Sequence, residues 1–166
     1  MKSLPGIRFS LSLLTLFLLA SGNAFSQNNP LPEFAFRKTD GTLLTPAVLA
    51  ENKPIVIFYF DPDCEHCNQQ AEWIKKKHEY DGSFGGITMI WVSWNTNEKN
   101  GEFMKKYFAE LNTSMVHFAK DDQYKFDKWF GYSDVPSIFV YGKDRLLKKK
   151  FTAETAAEEL LKFARM

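Results

Sequence analysis

Ile55-Val56-Ile57-Phe58-Tyr59-Phe60-Asp61-Pro62-Asp63-Cys64-Glu65-His66-Cys67 is the stretch whose reading decides the fold. Its first six residues are apolar or aromatic and lie between Pro54 and the Asp61-Pro62 breaker, the pattern of a strand buried on both faces. A sharp turn at Asp61-Pro62-Asp63 follows, and from Cys64 to Lys77 no breaker interrupts a segment that reads as a helix. Cys64 and Cys67 fall in the first turn of that helix. Unpaired N–H groups and the positive end of the dipole favour an anion there, so a thiolate at Cys64 is stabilised. Cys67 lies on nearly the same face one turn later, close enough to close a small disulfide ring. This arrangement predicts a reactive dithiol in which Cys64 attacks and Cys67 resolves.

Upstream, Lys2 and Arg8 precede an apolar run from Phe9 to Ala20, shorter than the roughly 20 residues a spanning helix needs. Ala24-Phe25-Ser26 then offers a small–x–small cleavage pattern. Residues 1–26 are therefore read as a signal peptide and residues 27–166 as one domain, with Gln27 as the expected first mature residue. The expected location is the periplasm or cell envelope, with no stable membrane anchor after cleavage. Sixteen Phe and four Trp predict an aromatic-rich core. Without Lys2 and Arg8 the 21 basic residues no longer outnumber the 20 acidic ones. A near-neutral domain gives no reason to expect nucleic acid as a partner.

The chain has two cysteines, and both are in this motif. Disulfide-stapled exported domains use more cysteines at wider spacing, so the pair points to chemistry. With no third cysteine the domain cannot reset its own redox state, which implies an outside envelope or membrane redox partner. No metal or organic cofactor is required.

The weak alternation of Glu33 to Arg37, the Asp40-Gly41 turn and Leu43-Leu44 read as a small hairpin ahead of the main sheet. Thr45-Pro46 reads as the cap and first position of a short helix ending near Asn52. Ile87 to Ser93 is a second strong strand, and its spacing from the first predicts a right-handed parallel crossover. Phe103, Met104, Tyr107, Phe108 and Leu111 recur at helical spacing and are expected to face the core. Met115 to Phe118 reads as a short strand, and Gln123 to Phe130 as a helix stopped by Gly131. Val135 to Tyr141 is a third strong strand, with Pro136 near its start, where it costs the ladder least. Gly142-Lys143-Asp144 turns into a partner strand from Arg145 to Phe151. Its Lys148-Lys149-Lys150 run reads as protection of a sheet edge. Thr152 is expected to cap a closing helix that carries Ala156, Leu160, Leu161 and Phe163 inward.

A buried strand, Cys64-Glu65-His66-Cys67 at a helix start, and Val135-Pro136 heading a later hairpin strand together resemble the thioredoxin superfamily, and more closely its exported TlpA/ResA-like branch. The likeness covers nearly all of residues 27–166. It implies an α/β fold, a thioredoxin-like three-layer α/β/α sandwich with a mixed central sheet, an N-terminal hairpin and a helix–strand insertion between about Glu98 and Phe118. It further implies that Pro136 is cis, and that Val135 offers its backbone to an extended substrate chain by strand addition beside Cys64. Three positions depart from the family pattern: Asp63 stands where many members have Trp, Phe58 where thioredoxins have a buried Asp, and Gln70 where the exported branch often has Glu. The carboxylates assigned to proton handling at the second cysteine are thus both missing.

Around the dithiol the expected influences have opposite signs. His66 as imidazolium would stabilise the Cys64 thiolate and make the disulfide more oxidising. Asp61, Asp63 and Glu65 would act against the thiolate, and Asp63 could also cap the helix. The function expected is an exported thiol–disulfide oxidoreductase acting on protein thiols and disulfides, as a reductant. Two alternatives stay open: a metal carrier using Cys64, Cys67 and His66 or His117, with copper as the cargo, and a redox-idle module that holds chains at Val135-Pro136. His117 itself reads as a core histidine, and His78 as solvated surface.

Overall fold

The computed structural model describes residues 29–111, 115–131 and 134–166; the leader expected at 1–26 lies outside them. Seven strands form one mixed sheet: β1 (Phe36–Arg37), β2 (Leu43–Leu44), β3 (Ile55–Tyr59), β4 (Thr88–Ser93), β5 (Val116–Lys120), β6 (Ser137–Tyr141) and β7 (Leu147–Phe151). Their order is β2-β1-β5-β4-β3-β6-β7. β3, β4 and β5 are mutually parallel, whereas β6 is antiparallel to β3, β7 to β6 and the β1–β2 hairpin to its neighbours. Among the described residues four α-helices accompany the sheet: α1 (Glu65–Asp81), α2 (Asn97–Phe108), α3 (Phe126–Phe130) and α4 (Ala157–Ala164).

Every residue of β3 is buried, as expected for a strand covered on both faces. Its side chains divide by parity between two cores. Val56, Phe58 and Phe60 join Cys67, Ile74, Trp91, Phe103 and Leu160 under α1, α2 and α4. Ile55, Ile57 and Tyr59 join Phe34, Phe36, Phe126 and Phe130 beneath α3 and the N-terminal segment. The aromatic richness is spent on stacking: Phe58 lies flat on Trp91 at 4.0 Å between ring centroids, and Tyr59 on Phe126 at 4.0 Å. The sandwich of helices, mixed sheet and helix is the thioredoxin-like three-layer arrangement that the resemblance implies, with its N-terminal hairpin and, in the α2–β5 unit, the helix–strand insertion.

Several local expectations need correction. The segment after Thr45 makes a single 3-10 turn, Pro46–Val48, and Thr45 gives no side-chain cap. Met104 faces outward while Phe103, Tyr107 and Phe108 are buried. α3 begins at Phe126 rather than Gln123, because Tyr124 takes a left-handed φ of 51° and is exposed. α4 begins at Ala157 behind Ala156, so Thr152 caps nothing. Ala157 rather than Ala156 is buried, and Phe163 is only partly so. Gly131 does end α3 in the left-handed region, at φ 68°.

Candidate active site

β3 delivers the chain to the Asp61-Pro62-Asp63 turn, and the turn places Cys64 as the N-cap of α1 with extended backbone (φ −80°, ψ 123°). The Asp61 carboxylate makes this turn: its Oδ1 accepts the Asp63 N–H at 3.0 Å, and the Asp61 carbonyl accepts the Cys64 N–H at 3.0 Å. Asn68 locks it from the helix side, its amide donating to the carbonyls of Pro62 and Cys64, both at 2.8 Å. Tyr107 of α2 donates to Asn68 Oδ1 at 2.7 Å, so α2 steadies the clamp. Nothing in the sequence distinguishes Asn68 from an ordinary polar helix residue.

Cys64 is half-buried and Cys67 fully buried, and both are free thiols. Burial pushes the Cys67 thiol far above its ordinary value; the backbone N–H of Asp61 pulls the other way, and the neighbouring Cys64 adds to the rise. The accessible sulfur is therefore Cys64, at the head of a 17-residue helix with no side-chain cap bond competing for its N–H groups.

The charged residues around the pair are engaged in ways the sequence does not reveal. Asp63 does not cap α1; its carboxylate pairs with Lys99 of α2. His66 Nδ1 lies 2.8 Å from Glu154 Oε1, a residue of the segment between β7 and α4. Glu154 is held below the usual carboxylate range by its own backbone N–H and then by His66. Thr155, next in that segment, donates its N–H at 2.7 Å to Oε1 of Gln70, which is completely buried. Glu65 sits exposed in the first turn of α1. His66, Gln70 and Lys77, which meets Glu158 at 3.4 Å, form a stripe along α1 that fastens the start of α4 to it.

The Val135-Pro136 peptide is cis. The antiparallel register Tyr59↔Ser137 carries it to the end of β3 from which the chain departs towards Cys64. Val135 and Cys64 pack against the same core cluster, and Pro136 is buried. His117 is on β5, opposite Ile90 of β4, where burial and then Lys38 hold its pKa down. Among the described residues no group of three or more His, Cys, Asp or Glu is arranged to hold a metal ion, so the metal-carrier alternative finds no third ligand beside the cysteines.

Fold and site define a thioredoxin-fold protein with a Cys-x-x-Cys pair at the head of α1, the longest helix among the described residues. The chain belongs to the redoxin family, whose model matches residues 26–162. Similar solved structures include a secreted Mycobacterium tuberculosis disulfide oxidoreductase homologous to Escherichia coli DsbE, at 19% identity and TM-score 0.60, covering 80% of this chain and 94% of that one. StoA from Bacillus subtilis aligns at 14% identity and TM-score 0.58, over 81% and 98% of the two chains. A thioredoxin-like protein from Aeropyrum pernix aligns at 14% and 0.62, over 80% and 87%. No curated protein sequence matches the chain significantly.

Proposed function

We propose that this protein is an exported thiol–disulfide oxidoreductase that reduces disulfides in protein substrates. The observation that carries the reading is the asymmetry of the pair, Cys64 accessible at a helix N-terminus and Cys67 sealed behind it. Cys64 as thiolate attacks a substrate disulfide and forms a mixed disulfide. Cys67 then attacks Cys64, releasing the substrate thiol and leaving the Cys64–Cys67 disulfide for an outside reductant to reset. Val135, beside cis Pro136, offers its backbone to the substrate chain in extended form.

The reductant direction is supported by the His66–Glu154 pair. The cation that would stabilise a Cys64 thiolate and make the couple oxidising is offset by a carboxylate, while Asp61 and Glu65 remain on the opposing side. Export is supported by the leader pattern of residues 1–26. Among the described residues no helix is long and apolar enough to cross a membrane.

Insulin reduction in the presence of dithiothreitol tests the activity. Wild-type protein should accelerate it, Cys64→Ser should abolish the acceleration, and Cys67→Ser should trap a mixed disulfide. A Cys64→Ser protein with full activity would refute the reading. The direction is tested by the reduction potential: a value near the thioredoxin end, about −270 mV, agrees with a reductant, and one near about −120 mV makes the protein an oxidant. Protein purified from its native source should begin at Gln27.

A further inference from the structure

The exchange reaction proposed above leaves one step without an agent. Before Cys67 can attack the mixed disulfide it must lose its proton, and it does so in a buried site. The carboxylates around the pair are not equivalent. Asp63 is taken up by Lys99, Glu154 by His66, and Glu65 stands exposed in the first turn of α1.

Asp61 differs from these in three respects. It stands at the end of β3, directly before the turn that carries the pair, and is half-buried where Asp63 and Glu65 are exposed. Its main chain touches both cysteines: the carbonyl accepts the Cys64 N–H at 3.0 Å, and the peptide N–H faces the Cys67 sulfur. Its side chain is oriented by neutral donors only, the Asp63 N–H at 3.0 Å and the Asn95 amide at 3.1 Å. Both donors fall on Oδ1, and among the described residues Oδ2 has no hydrogen-bond partner. A carboxylate fixed through one oxygen, with the other unbonded, in a residue whose main chain meets both cysteines, is arranged as a base. The charged or titratable groups that face it are Cys64 and Cys67 of the pair, and Lys99 of α2, itself bonded to Asp63.

Resting on the oxidoreductase reading, we propose that the Asp61 carboxylate is the proton acceptor for Cys67 in the resolving step. The Cys67 S–H proton passes to Oδ2, directly or through one water, as the Cys67 sulfur bonds to Cys64 Sγ. The bond from Cys64 Sγ to the substrate sulfur breaks, and its electron pair leaves with the substrate thiolate. That thiolate then recovers the proton from Asp61. The protein dithiol is oxidised by two electrons and the substrate disulfide reduced by two.

The test uses reduced full-length protein with one equivalent of 5,5′-dithiobis(2-nitrobenzoate), followed by release of the coloured thiolate. The first equivalent reports attack by Cys64 and the second reports resolution by Cys67, with a leaving group that needs no proton. Asp61→Asn keeps the Oδ1 acceptor and removes the base. It removes a charge that opposes the Cys64 thiolate, so the first phase should be no slower than in wild type, while the second slows about 100-fold at neutral pH, with the gap closing as hydroxide takes over in alkali. Equal slowing of both phases, or a gap constant with pH, would overturn the proposal. Should Asp61→Asn fail to fold, Asp61→Ser retains a local bond to the Asp63 N–H. Added formate should then speed its second phase alone, and no rescue would count against Asp61. If wild-type protein itself releases only one equivalent, as Cys67→Ser must, the oxidoreductase reading fails first.

Discussion

Glu154 is the residue that sets a carboxylate 2.8 Å from the His66 ring, beside the dithiol. The ring is largely exposed, with side-chain exposure of 66%, so solvent screens the pair and its influence on the neighbouring sulfur is modest. Glu154→Gln removes a negative charge from the Cys64 side whichever protonation state the ring holds. The thiolate is then favoured and the couple becomes more oxidising, by about 5–20 mV for a coupling of a few tenths to one kcal/mol. Equilibration of variant and wild type against glutathione checks this, and a shift to more negative potential would contradict the assigned sign. His66, Cys64 and Cys67 were legible in the sequence because they share one helical turn. Their partners were not: Glu154 is 88 positions from His66 and Lys99 is 36 from Asp63, in segments with no pattern that points back to the motif. Gln70 was legible as a missing carboxylate. That its carbonyl oxygen holds the Thr155 N–H became visible only in three dimensions.

At the level of elements, β3, β4 and β6 were read correctly because burial on both faces leaves long apolar runs that no helix or loop of similar length imitates. α3 was read too long for a physical reason. Its aromatic residues run from Tyr124 to Phe130, but the helix starts where Asp121 caps it, with Oδ1 accepting the Lys125 N–H at 2.9 Å and Oδ2 the Phe126 N–H at 3.0 Å. Asp121 is 2% exposed and also accepts the Tyr59 hydroxyl at 3.3 Å, tying α3 to the central strand. Asp121→Ala strands two backbone donors and a phenol, and the expected cost is about 2–3 kcal/mol, read as a lower urea midpoint with an unchanged m-value. The insulin assay should be unaffected at temperatures where the variant is folded, since α3 lies across the sheet from α1. Loss of activity in a stable Asp121→Ala protein would mean that this face also supports the site.

Across the whole molecule, the two cores carry three weak acids that the fold holds in their neutral forms. Burial raises Cys67 above its ordinary 9.0 and Tyr59 and Tyr141 above their ordinary 10.0, with Asp121 adding to the rise at Tyr59. Tyr59 and Tyr141 are each 3% exposed and Cys67 0%. A group whose folded pKa exceeds its unfolded one contributes stability that is fully present below the unfolded pKa. That stability is lost as pH rises from there towards the folded pKa, because the unfolded chain releases a proton the folded chain keeps. For reduced protein the loss should begin near pH 9, where the unfolded thiol ionises, and steepen near pH 10 as the two phenols join. Each group adds up to about 1.4 kcal/mol per pH unit. Urea titrations at pH 8 and at about pH 10.5 should show this fall. Tyr141→Phe should flatten it, since Tyr141 shifts by burial alone and its replacement leaves the packing of β6 nearly intact. Oxidation to the Cys64–Cys67 disulfide removes the thiol contribution, so the oxidised protein should begin to lose stability only when the phenols do. An oxidised protein whose decline starts as early as that of the reduced one would show that Cys67 is not the first of the three to titrate.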